Sequence, residues 1–136
     1  MTIRFSVEMS YRQPKSCMPL DEADIGRLRD VVAFGHKVAA IIAGVTQPQF
    51  LADAKTFFAT CYGIQVVGEA AWKLSDGFNR GHTTIPWTLI SSMRHRLVHD
   101  YGRTDEAIVY QVAATHLPVM VRQVEAILAQ EQSGSG

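Results

Sequence analysis

From Asp21 to Leu128 the apolar residues recur at helical intervals of three and four, and no segment alternates with the two-residue rhythm of a half-buried strand. That period commits the chain to helices, each burying one face against the others. Asp21 offers an N-cap with acids behind it, and Ile25, Leu28, Val32, Ala39 and Ile42 give a first helix its buried face before Gly44. Thr46 and Gln49, at capping-box spacing, open a second. Its stripe of Phe50, Ala54, Phe57, Cys61, Ile64, Gly68, Ala71, Leu74 and Phe78 reads as one continuous seam. Gly63 and Gly68 inside it either weaken the helix or admit a close neighbour. A third helix starts near Pro86, buries Ile90, Met93 and Leu97, and ends near Gly102. Thr104 caps a fourth, and Pro118 starts a fifth that buries Val121, Val124 and Leu128. The expected fold is an all-α antiparallel bundle of four to five helices with short connections.

Residues 21–131 form the expected helical domain. Residues 1–20 hold no period, are punctuated by Pro14 and Pro19, and read as an N-terminal extension with Arg4, Arg12 and Lys15 against Glu8. Such an arm suits RNA, although a solvated tail is the default. Residues 132–136, rich in Ser and Gly, read as a flexible tail.

Composition limits function more than fold. Thirteen basic residues balance thirteen acidic ones, so a polyanion has to be held by a local patch rather than by the net field. Two cysteines without a C-x-x-C spacing point to a reduced, cytoplasmic setting and no zinc site. His36 and Lys37 interrupt the most apolar stretch, Val31 to Val45, well short of the about 18 residues that suggest a membrane span. The opening residues, Met1 to Ser6, lack the apolar core of a signal peptide. No Gly-rich phosphate loop occurs, and no cofactor is expected.

One segment is unlike the rest. From Met93 to Arg103, three arginines and two histidines crowd one expected helix end. That density of donors asks for an anion, and a phosphodiester fits: a guanidinium grips two phosphate oxygens and a histidine moves protons near neutral pH. Arg94 and Tyr101 are seven residues apart and differ by about 20° around an ideal helix, whereas Arg94 and His99 diverge by about 140°. Either the helix loosens so that His99 swings back, or two copies of the chain bring their motifs together across a twofold axis; the dimer is the favoured reading.

The run Ile85-Pro86-Trp87 through Arg94-His95-x-x-x-His99-x-Tyr101 resembles the signature of HepT-like toxins in the HEPN superfamily. Gly68-Glu69-Ala70 upstream and a closing helix after Leu117-Pro118 also fit that layout, so the resemblance covers about Asp21 to Gln130. It implies a HEPN-like fold and a metal-independent endoribonuclease in which Arg94 contacts the scissile phosphate and His99 is general acid or base. The nucleophile is then the ribose 2′-hydroxyl, so no Ser or Cys is required. It further implies the toxin half of a type VII toxin–antitoxin pair. In that family a nucleotidyltransferase antitoxin of the MntA type transfers AMP to the tyrosine of His-x-Tyr, which would be Tyr101. The added phosphate and nucleoside would neutralise Arg94 and block RNA. His95 stands where HepT sequences often carry Asn, which leaves its role open.

Plainer readings accompany each residue. Arg94, His99 and Tyr101 can be polar groups at a helix end, where cations favour the dipole. His95 and His99 have metal-ligand spacing but no third ligand at fixed spacing. Glu69 is a candidate to orient Arg94 by a buried salt bridge, against the default of a solvated face. Asp100 is a candidate to tune His99, against simple exposure. Trp87 reads as a core or interface anchor rather than a base-stacking surface. Two other functions stay open at this point: a non-catalytic HEPN module that binds nucleotide or RNA for its nucleotidyltransferase partner, and a structural bundle.

Overall fold

The computed structural model describes residues 20–135, with the backbone alone at Tyr101, Gly134 and Ser135. The readings placed on residues 1–19 lie outside the described residues. The helices are α1 (Glu22–Ile42), α2 (Gln47–Ala52), α3 (Ala54–Trp72), α4 (Asp76–Gly81), α5 (Trp87–His99), α6 (Glu106–Gln111) and α7 (Leu117–Ser135). A short 3₁₀ turn spans Tyr101–Arg103, and a π turn spans Val112–His116. No strand occurs among the described residues, and the all-α bundle is as expected.

Helix α1 begins as the sequence reading places it: Asp21 accepts a hydrogen bond from the Ala23 amide at 3.0 Å. Its buried face is Leu28, Val31, Gly35 and Val38, and Ala39 is exposed. The expected stripe through Val32 and Ala39 is therefore rotated. The reason is Gly35, which apolar scoring passes over. Its missing side chain lets α7 come so close that a Cβ there would collide with Val121.

The second helix of the sequence reading is three helices. Its N-terminus carries the expected capping box between Thr46 and Gln49. Asp53 then turns extended and caps α3, accepting from the Lys55 amide at 3.1 Å and the Thr56 hydroxyl at 2.8 Å. Ser75 caps α4 and is itself held by Asp24, whose carboxylate accepts from the Ser75 amide at 3.0 Å and hydroxyl at 2.6 Å. Asp24 is buried, and through these part-buried bonds its carboxylate ties the start of α1 to the exposed Ser75 at the start of α4. Apolar spacing of three and four runs straight across both breaks, which hides them in the sequence. Ala54, assigned to the seam, is exposed.

Pro86 stands at the N-cap of α5, and Ile90, Met93 and Leu97 are buried as expected. Trp87 is a core anchor, 5.7 Å from Phe78 and donating its indole N–H to the His82 carbonyl at 3.2 Å. The helix ends at His99 rather than near Gly102. Asp100 leaves helical geometry while its amide still bonds the Arg96 carbonyl at 2.8 Å, and Gly44 alone among the described glycines takes a positive φ. Asp105, not Thr104, caps α6. The expected break before Pro118 is instead the π turn, in which the Leu117 amide reaches Val112, so α6 runs on into α7. A widened turn absorbs the ring and missing donor of Pro118. Helical backbone continues to Ser135, into the stretch read as a tail.

Helix α3 is central, with α1 on one side and α5 on the other, and α7 closes over α1. Leu28, Val31, Val38, Ile64, Val67, Met120 and Val124 fill the middle. No helix among the described residues is long and apolar enough to cross a membrane.

Candidate functional site

Helix α5 lies unusually close to α3 because of Gly68. A Cβ at that position would collide with the Cβ of Arg94 and stand 2.9 Å from the Ile90 carbonyl oxygen. Of the two roles the sequence leaves open for this glycine, close approach is the one it serves, and Gly63 does the same for Val38. The consequence is local: the stem of Arg94 rests on α3 one residue before Glu69.

Arg94 Nη2 meets Glu69 Oε1 at 2.9 Å, and Lys73 Nζ meets Glu69 Oε2 at 3.0 Å. The Lys73 hydrogen bond, reinforced by the charges of Lys73, Arg94 and Arg27, holds the Glu69 carboxyl below its usual range. The pair is half-exposed rather than buried as the sequence reading has it. Arg94 also sits 5.7 Å from the ring centroid of Trp72, an exposed indole on α3. Held on two sides, with its side chain 24% exposed, the guanidinium is oriented and still accessible.

The space it faces is a groove of about 340 Å³, floored by the open face of α3 between α1 and α5. Arg27, Asp30, Tyr62, Glu69, Lys73, Arg94 and Val98 line it. His99 does not. It is exposed at the last position of α5, with its ring 4.7 Å from that of His95. The divergence expected from helical geometry thus persists in the folded chain, and no loosening of α5 brings His99 back. Asp100 lies 3.8 Å from Arg103 and makes no hydrogen bond or ion pair with His99 among the described residues. Tyr101 follows in the 3₁₀ turn, and its side chain is outside the described residues. Among the described residues no group of three potential metal ligands gathers.

Sequence reasoning missed Arg27, Trp72 and Lys73. Lys73 had a signal, since it follows Glu69 by four on one helix. Trp72 and Arg27 had none, because one is an exposed aromatic at a helix end and the other arrives from α1 through tertiary packing.

The profile of the family described as "Ribonuclease HepT-like" matches residues 25–127. The chain belongs to the HepT-like ribonuclease family. Its relatives include an inferred RNase of Caldanaerobacter subterraneus subsp. tengcongensis, 28% identical over 67% of this chain and 81% of that protein. An inferred ribonuclease HepT of Thermococcus cleftensis is 32% identical over 56% of this chain and 69% of its own length. An inferred RNase of Methanocaldococcus jannaschii is 25% identical over 74% and 78%. No solved structure gives a significant match. The matched span of this HepT-like chain contains the whole groove and the Arg94-to-Tyr101 run.

Proposed function

We propose that this HepT-like protein is a metal-independent endoribonuclease acting as a homodimer, with Arg94 of one copy and His99 of the other forming each site. The observation that carries this is the presentation of Arg94, an accessible guanidinium fixed by Glu69 and Trp72 in a groove that His99 of the same chain does not line. A second copy, related by a twofold axis, supplies the missing proton carrier twice over.

The ribose 2′-oxygen attacks phosphorus, His99 handles a proton on the attacking or leaving side, and the 5′-oxygen departs. A cyclic phosphate and a 5′-hydroxyl remain. Arg94 stabilises the extra negative charge of the transition state, and the Glu69 pair keeps it aimed. His95 stands beside His99 and supports its orientation, while Asp100 engages Arg103. Regulation falls to Tyr101: its phenol oxygen attacks the α-phosphate of ATP on a nucleotidyltransferase antitoxin, pyrophosphate leaves, and the attached AMP places negative charge near the motif. This is the toxin of a type VII pair, working in the cytoplasm on RNA.

Purified protein incubated with total RNA in EDTA is expected to cleave it, with loss in both Arg94→Ala and His99→Ala. Cleavage that survives in both variants overturns the site. RNA binding without cleavage by the parent supports a non-catalytic module instead. Co-expression with an MntA-type nucleotidyltransferase is expected to add the mass of one AMP, absent in Tyr101→Phe.

A further inference from the structure

The groove extends well past Arg94, and its far side is chemically unsatisfied. Both oxygens of Glu69 are already engaged, one by Arg94 and one by Lys73. Arg27, on the α1 wall, forms no hydrogen bond or ion pair among the described residues, and its Nε is buried without a partner. A guanidinium carries five N–H donors and no acceptor, so a half-buried one that makes no hydrogen bond among the described residues, with only the charge of Glu69 near it, offers donors to a ligand's oxygen atoms. Three cations against two carboxylates, Asp30 and Glu69, leave the groove positive in a chain whose total charge is zero. Tyr62 stands on the groove floor with most of its ring in solvent, steadied by Phe34 at 6.5 Å in an edge-on contact.

We propose that this part of the groove is a subsite for the nucleotide next to the cleaved bond in single-stranded RNA. Arg27 and Lys73 take its phosphate, and Tyr62 stacks on its base. The inference rests on the reading of RNA as substrate. An aromatic ring stacks with any base, but only when that base is unpaired, so the subsite selects for single strands without selecting for sequence. Asp30, an acceptor-only carboxylate in the same groove, faces base amino groups more favourably than a second phosphate.

The test uses the full chain carrying His99→Ala, so that nothing is cut, and a fluorescent oligouridylate, free or in duplex with oligoadenylate. Tyr62→Leu is expected to weaken binding of the single strand about tenfold, the loss of one base–aromatic stack. Arg27→Gln is expected to weaken it similarly and to lower the salt slope by about 0.7, the value for one phosphate on a single strand. Tyr62→Phe and Arg27→Lys should restore most of the affinity, and the duplex should respond to none of them. Unchanged single-strand affinity in both Tyr62→Leu and Arg27→Gln overturns the subsite, as does an equal loss on the duplex. The failure of the ribonuclease reading looks different. In that case the parent chain cuts no RNA, while the two substitutions still weaken the single strand. If the parent cuts RNA and neither substitution raises its KM, the subsite alone is wrong.

Discussion

The same substitution at two helical glycines should change stability in opposite directions. Gly26 lies exposed in α1 with nothing within 4 Å of a new Cβ, whereas Gly68 in α3 has Arg94 and the Ile90 carbonyl in that space. Replacing a mid-helix glycine by alanine gains about 1 kcal/mol of helix propensity at either site. At Gly68 overpacking costs about 1–3 kcal/mol, toward the upper end because the Ile90 oxygen is backbone and cannot rotate away. Gly26→Ala should therefore stabilise by up to about 1 kcal/mol, and Gly68→Ala should destabilise by about 1–2 kcal/mol. At an unfolding entropy near 2 cal/mol/K per residue, each kcal/mol moves the Tm of this chain by about 3–4 °C. Urea denaturation with an unchanged m-value measures both. The lost space lies beneath Arg94, so Gly68→Ala should also weaken RNA binding while Gly26→Ala leaves it alone. A Gly68→Ala protein as stable as Gly26→Ala would refute the close-approach argument.

Two further outcomes are specific. Asp24→Ala should cost about 2 kcal/mol in a urea melt, because it removes the charge-assisted bonds that the buried carboxylate accepts from the Ser75 amide and hydroxyl; a loss no larger than that of an exposed acid such as Glu22→Ala would contradict this. The Glu69 carboxyl, held below its ordinary value of 4.5 by Lys73 and then by neighbouring cations, contributes stability that is present above that value. It is lost as pH falls through the depressed folded value. Carboxyl NMR should follow this directly, and titration at or above 4.5 would show that the ion pairs with Lys73 and Arg94 are not formed in solution.

How much of this was legible beforehand depends on the interaction concerned. Local chemistry was plain: the Asp21 cap, the Thr46–Gln49 box and the buried face of α5 all follow from neighbours in sequence. Breaks that preserve the apolar spacing were invisible. Asp53 and Ser75 cut one continuous stripe into α2, α3 and α4 without disturbing its rhythm. Glycine was ambiguous for a physical reason, since only the partner helix decides whether a missing side chain is weakness or room. The same holds for the site. Arg94, His99 and the divergence between them are properties of one helix and could be computed from spacing. The groove was not legible, because Arg27, Lys73 and Trp72 meet Arg94 only through the packing of α1 and α3 against α5.

That divergence makes the central claim directly testable by mixing two silent proteins. Arg94→Ala and His99→Ala chains, each inactive alone, are denatured together, refolded, and assayed on RNA in EDTA. Random pairing makes half of the dimers mixed, each with one intact Arg94–His99 pair, so cleavage should return to about a quarter of the parent rate. A mixture as silent as its components would contradict a site shared between two copies.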